Sequence, residues 1–298
     1  MPPWLTAYQQ QFASLIARQQ LAHGILITGP QGVGKQQLAN WLAASLLCTA
    51  AGEKPCGECK SCLLRQAGTH ADLLIVDGSG STIGVDAVRQ LSQFMHGRPQ
   101  QQQNKVVILP VADKLTEAAA NALLKTLEEP PQDSYLILYS SAAATLAATL
   151  LSRCQQWPLT AHADEQTAQW LAQHSNRALP DFLLPFCGGG PLKALALLES
   201  GEADQIALAL EALTAFFADQ ITLNECTKQL ESVNDLSALF GWFIRQLVLP
   251  SSSGLNGQRV LAIHNLYNRW CRDATQILGQ NKQLALSALL IELKRLRS

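Results

Sequence analysis

Short apolar runs alternate with helical stripes over the first 160 residues. Gly24-Ile25-Leu26-Ile27-Thr28, Ala71–Asp77, Lys105–Leu109 and Tyr135–Tyr139 are of strand length and largely unbroken by polar residues. Such runs suit strands buried on both faces. Between them the period changes. From Gln36, the residues Leu38, Ala39, Trp41, Leu42 and Leu46 recur at helical spacing. Ile83, Val85, Val88, Leu91, Phe94 and Met95 form a second stripe, with Asp86 in its first turn, and Arg98-Pro99 with Gln100–Gln103 ends it. Thr116 is placed to cap a helix over Glu117–Glu129, with the stripe Ala118, Ala122, Leu123 and Leu127, and Pro130-Pro131 stops it. Strands alternating with helices predict an α/β fold, a parallel sheet with helices on both faces.

From about Ala161 no strand pattern remains. Residues 164–174 and 191–199 read as helices, with Gly188-Gly189-Gly190 between them. A helical block then runs from about 203 to the end, broken at Pro250-Ser251-Ser252-Ser253-Gly254. Its stripes are Leu210, Leu213, Phe216 and Phe217, then Leu239, Trp242, Phe243 and Leu247, then Leu286, Leu289, Leu290 and Leu293. They are core by default, and a surplus would serve an oligomer interface. The expected layout is a sheet domain over 1–160, a small helical lid over 161–202 and an all-α domain over 203–298.

Between the first strand and its helix stands Gly29-Pro30-Gln31-Gly32-Val33-Gly34-Lys35. Glycines at this spacing let backbone N–H groups curl around phosphates, and a lysine here reaches the terminal ones. A glycine-rich turn is the plainer reading, but the flanking strand and helix favour a phosphate-binding loop, with Gly29, Gly32, Gly34 and Lys35 as its binding residues. The next residue is Gln36, where the motif needs a Ser or Thr hydroxyl for Mg²⁺. A Gln amide sits on a longer arm than the tight magnesium octahedron favours. The Lys105–Leu109 strand is followed by Pro110-Val111-Ala112, so no acid stands where a metal-binding carboxylate is needed, and Asp113 comes late. Phosphate binding stays open; magnesium-dependent hydrolysis is disfavoured.

Composition narrows the field. The chain has 298 residues and a net charge of −1, which gives no basic field to hold DNA unaided. No stretch is apolar enough to span a membrane, and Met1-Pro2-Pro3-Trp4 lacks the features of an export signal. A cytoplasmic location is expected. In that compartment clustered cysteines favour metal over disulfides. Of eight cysteines, Cys56, Cys59 and Cys62 are evenly spaced and Cys48 lies just upstream. Four thiolates at this spacing suit a closed structural zinc site, with Lys54 and Lys60 to offset its charge. A redox pair is the competing reading, and His70 competes with Cys48 as the fourth ligand.

Three stretches together resemble one family. Ala119-Ala120-Asn121-Ala122-Leu123-Leu124-Lys125-Thr126-Leu127-Glu128-Glu129-Pro130-Pro131 is similar to the signature helix of bacterial clamp-loader subunits, Leu151-Ser152-Arg153-Cys154 to their Ser-Arg-Cys motif, and the cysteine insertion lies where theirs does. With the glycine loop and three-part layout, the resemblance to the AAA+ clamp loader of bacterial DNA polymerase III covers nearly the whole chain. The departures are Gln36, Pro110-Val111, and Leu192 where the ATP-hydrolysing gamma/tau subunits carry a lid arginine, with Lys193 adjacent. They point to the delta-prime branch. The resemblance implies a chain without ATPase or polymerase activity of its own, working within the DNA-directed DNA polymerase III holoenzyme, a nucleotidyltransferase complex. It implies partners: gamma/tau and delta subunits, and through the assembly the sliding clamp and primed DNA. It implies structural Zn²⁺, with ATP or ADP possible but not required. It implies that Arg153 projects into a neighbour's ATP site, that Ser152 and Cys154 shape the turn beneath it, and that the last helical block joins an oligomeric collar. Lys125 and helix 117–129 would line the DNA-facing interior. The alternatives are an active gamma-like ATPase and a zinc-stabilised DNA-binding module.

Overall fold

Successive side chains of a strand point to opposite faces, and here each face has its own core. The computed structural model describes residues 1–101, 103–160, 165–248, 256–276 and 281–297. Strands β1 (Gly24–Thr28), β2 (Leu73–Ile75), β3 (Lys105–Leu109), β4 (Ser134–Ser140) and β5 (Gln155–Pro158) form one parallel sheet in the order β2-β3-β4-β1-β5. Ile25, Ile27, Val106, Ile108 and Ile137 pack on one face against helices α1 (Thr6–Ala17) and α2 (Lys35–Leu47). Past α2 come α3 (Lys60–Gln66), α4 (Val85–His96) and α5 (Glu117–Glu128). Leu26, Val107, Leu109, Leu136 and Leu138 pack on the other face against α4 and α5. This two-sided burial is why the central strands read as unbroken apolar runs.

The outer strands differ from expectation. The run over Ala71–Asp77 is a strand only over Leu73–Ile75. Its ends are spent on side-chain bonds. Asp72 is fully buried and accepts the N–H groups of Gln100 and Gln101, each at 2.8 Å, with the Lys105 ammonium 3.7 Å away. Asp77 accepts from the Ser79 N–H at 2.9 Å and starts a turn. Ile83 lies outside α4 and bridges to Leu115. On α5 the buried face is Ala119, Ala120, Leu123, Thr126 and Leu127, whereas Ala118, placed in the expected stripe, is exposed. Thr116 does cap α5, accepting from the Ala119 N–H at 3.2 Å. Strand β5 and helix α1 were not expected. Gln155-Gln156-Trp157-Pro158 is an edge strand, where proline is tolerated.

The short helix α6 (Ala148–Leu151) precedes β5, and α7 (Glu165–His174) follows. Two compact units result: Met1–Gln173 with Cys187–Lys193, and His174–Phe186 with Ala194–Ser298. The expected lid stretch thus contributes to both, and residues 161–164 lie outside the described ones. The second unit is helical: α8 (Leu183–Phe186), most of α9 (Pro191–Ser200), α10 (Glu202–Phe217), α11 (Leu223–Leu230), α12 (Leu236–Val248), α13 (Gly257–Gln276) and α14 (Lys282–Arg297). Its core gathers Leu210, Leu213, Phe216, Phe217, Leu239 and Phe243 with Leu286, Leu289, Leu290 and Leu293 of α14. Trp242 and Leu247 are only partly buried against it. The expected break over Pro250–Gly254 lies outside the described residues. No helix among those described is long and apolar enough to cross a membrane.

Candidate functional site

The glycine loop joins β1 to α2, as its sequence requires. Gly29, Gly32 and Gly34 hold φ of 144°, 78° and 104°, which side chains rarely adopt. Their arc converges on Lys35, which is 7% exposed. Its ammonium donates to the Gly29 carbonyl at 2.7 Å and the Pro30 carbonyl at 2.6 Å. Burial pushes Lys35 down to about 8, and the negative charge of Asp113 opposes that shift. The cation that would meet a phosphate therefore rests on its own loop.

Other parts of the first unit also close on this loop. The Trp4 indole N–H donates to the Val33 carbonyl at 2.9 Å, and Trp4 meets Trp170 edge-on with ring centres 5.1 Å apart. The Leu192 N–H donates to the Gly32 carbonyl at 2.9 Å. Gly190 lies so near that a Cβ there would come within 2.0 Å of the Gln31 carbonyl oxygen. What remains is an open cleft of about 370 Å³, lined among others by Gly32, Lys35, Gln36, Tyr139 and Lys193.

The positions of the missing acids are filled without carboxylates. Pro110 is buried, and Val111 has a left-handed φ of 51°, strained for a β-branched residue. Asp113 accepts a short hydrogen bond from the Ser140 hydroxyl at the end of β4. Lys114 donates to the carbonyls of Gly78 and Gly80, each at 2.8 Å.

The four cysteines converge. The sulfurs of Cys48, Cys56, Cys59 and Cys62 all lie within 4.8 Å of one another. Cys48 to Cys59 is 3.9 Å and Cys56 to Cys62 is 4.0 Å. A tetrahedral centre with metal–sulfur bonds of about 2.3 Å has sulfurs about 3.8 Å apart, so the set can hold a metal ion. Backbone N–H groups already orient the sulfurs: those of Cys56, Cys59 and Cys62 donate to Cys48, Cys56 and Cys59 at 3.5, 3.3 and 3.4 Å. Hydrogen bonding, Thr49 first, pulls Cys59 down to about 5, while burial pushes Cys62 up to about 12. His70 is engaged elsewhere. Its Nε2 lies 2.7 Å from the Ser61 hydroxyl, which itself donates to the Leu47 carbonyl, so Nε2–H is the donor there. Its Nδ1 accepts from the Asp72 N–H at 3.1 Å. Burial lowers its pKa.

Arg153 stands at the end of α6, away from the loop contacts. Its Nε donates to Glu128 Oε1 at 2.7 Å, and its Nη2 lies 2.5 Å from the same oxygen. Its Nη1 donates to the Thr149 carbonyl at 3.1 Å and the Ser152 hydroxyl at 3.3 Å. Cys154 is buried beneath, its thiol pushed up to about 11 by that burial.

A family model described as DNA polymerase III, delta subunit, matches residues 5–163. The delta' subunit of DNA polymerase III from Pseudomonas aeruginosa is 39% identical over 253 residues, 81% of this chain and 74% of that protein. The chain belongs to the delta' family. The delta' subunit from Haemophilus influenzae is 41% identical over 206 residues, 68% of this chain but only 63% of that protein, so this chain spans less than two thirds of that relative's length. A gamma-subunit-related protein of DNA polymerase III from Thermotoga maritima shares the fold, with a TM-score of 0.56 at 16% identity over 97% of this chain and 100% of that one. The parallel sheet and the helical C-terminal region of this delta' family member share that protein's fold.

Sequence reasoning named the loop residues, the four cysteines and Arg153. It gave no role to Trp4, Gly190 or Glu128. An indole so near the N-terminus is a signal, since a buried indole N–H needs an acceptor. Gly190 and Glu128 offered none, because their partners are distant in sequence.

Proposed function

We propose that this chain is a non-hydrolysing member of a clamp loader, helping to place the sliding clamp on primed DNA and completing a neighbouring gamma/tau ATP site with Arg153. The observation that carries this reading is the pairing of an accessible guanidinium on the Ser-Arg-Cys turn with a phosphate loop that has turned inward. Lys35 is bonded to Gly29 and Pro30, Gln36 replaces the magnesium hydroxyl, and Pro110 and Val111 replace the acids. Membership of the delta' family supports the same conclusion. In this reading residues 1–160 form the AAA+ domain, 161–202 the lid and 203–298 a collar that meets gamma/tau and delta subunits. Zinc on the four cysteines fixes the insertion and does no chemistry. Leu192 replaces a lid arginine, and Lys193 lines the cleft beside it.

The role assigned to Arg153 is electrostatic. In the neighbour's site, water attacks the terminal phosphorus, the bond to the bridging oxygen breaks and ADP leaves. A guanidinium at that phosphoryl group stabilises the developing charge, and fingers supplied in trans are worth about 10³–10⁵ in rate. Two measurements test the proposal. The purified chain with ATP and Mg²⁺ should show no turnover; a rate typical of AAA+ motors would favour the gamma-like alternative. In a loader reconstituted with its tau/gamma and delta subunits, Arg153→Ala should abolish hydrolysis at the one site it completes while assembly persists. Unchanged DNA-stimulated hydrolysis would remove the finger.

A further inference from the structure

We infer that Glu128 is a latch for Arg153, holding the guanidinium back until a neighbour's nucleotide displaces it. The inference rests on the finger role proposed above and adds a positioning residue to it.

A guanidinium has five N–H donors and presents them in pairs along its edges. The edge formed by Nε and Nη2 is the one suited to two oxygens of a phosphate. Here both nitrogens sit on one oxygen of Glu128, at 2.7 and 2.5 Å. Nη1 is spent on the Thr149 carbonyl and the Ser152 hydroxyl. In the chain on its own, most of the finger's donors are therefore already satisfied.

A phosphoryl group arriving at that edge brings negative charge to the place the carboxylate holds. The two repel, so both cannot keep the guanidinium at full strength. Engagement with ATP must therefore exchange Glu128 for phosphate. The geometry allows that exchange. The side chains of Arg153 and Glu128 are 34% and 48% exposed, so water can solvate the released carboxylate. Glu128 lies on the last turn of α5, where the chain is about to leave the helix at Glu129. Arg153 follows the four-residue helix α6. A partly exposed ion pair of this kind is weak enough to open and strong enough to bias a side chain.

The test uses the full chain in the reconstituted loader, with Glu128→Gln, Glu128→Ala, Arg153→Ala and the double variant Glu128→Gln/Arg153→Ala. Gln keeps the shape of the side chain and removes its charge. Without DNA, ATP turnover with Glu128→Gln should rise about twofold to fivefold, the scale of a partly exposed ion pair. The rise should be in kcat, with KM for ATP unchanged, and Glu128→Ala should act in the same direction. In the Arg153→Ala background the Glu128 substitution should have no effect, because there is nothing left to latch. A structural role for Glu128 would persist in that background, and such persistence overturns the inference. Lower or unchanged turnover with Glu128→Gln, alongside a clear loss with Arg153→Ala, also overturns it and leaves the finger standing. If Arg153→Ala changes nothing, the finger reading fails and the latch with it.

Discussion

At Lys35 the cation is spent on its own loop. In a phosphate loop the ammonium waits for a ligand. Here it closes its own loop through two carbonyls and is 7% exposed. Replacing it with Met would leave both carbonyls without this donor, at a cost of about 1–3 kcal/mol. The pH dependence has a definite sign. Lys35 titrates at about 8 in the folded chain, against about 10.4 unfolded. Between these values the unfolded state binds the extra proton, so this residue's contribution to stability rises with pH. The neutral amine still has two N–H donors for its two carbonyls. The stability gap between the native chain and Lys35→Met, measured by denaturant unfolding, should therefore widen from pH 8 to 10, by on the order of 2 kcal/mol. A gap that narrows over that range would show that Lys35 is held as the ammonium.

At the scale of elements, legibility followed burial. β1, β3 and β4 were readable because a strand covered on both faces must be apolar throughout. β5 was not: an edge strand carries half the burden, and Gln-Gln-Trp-Pro has no alternation to find. α1 hid for a similar reason, since Phe12 is its one buried side chain and glutamines fill much of the rest. The cysteine insertion was legible because a set able to hold a metal constrains residue type and spacing together. The closure of the glycine loop was not, since Gly190 and Leu192 reach Gln31 and Gly32 across most of the sheet domain's sequence. Cys59 allows a test of the insertion as an element. It supplies one sulfur and also caps α3, accepting from the Cys62 N–H at 3.4 Å. Cys59→Ser keeps an oxygen able to cap but removes a thiolate. Metal analysis of the native chain should give about one zinc per chain, as one four-thiolate centre demands, and Cys59→Ser should lose it, with a lower melting temperature. A variant that keeps full zinc and stability would take Cys59 out of the ligand set.

For the whole molecule, the informative feature is that chain order and compact units disagree. The composition shift near Ala161 sets a boundary at 160, yet Cys187–Lys193 belong with the first unit. A fragment ending at 160 lacks Trp170, the edge-on partner of Trp4, and the Leu192 N–H that satisfies Gly32. A fragment of residues 1–200 keeps both. The longer fragment should melt several degrees higher, given ~2–4 °C per kcal/mol for a chain of this size. Equal melting temperatures would mean that these contacts add nothing to the first unit.

The inward turn of Lys35 also bears on what the folded chain responds to. A protein that binds a ligand only when folded is stabilised in proportion to the logarithm of that ligand's concentration. The usual owner of such a loop is thus coupled to the nucleotide supply: its folded population and its melting temperature follow the ATP it holds. A loop whose lysine stays on the Gly29 and Pro30 carbonyls withholds that cation from a nucleotide, and the expected outcome is a melting temperature that does not follow added ATP. On the role proposed above, such a chain keeps one shape while nucleotide comes and goes at its neighbours, a fixed reference against which they move.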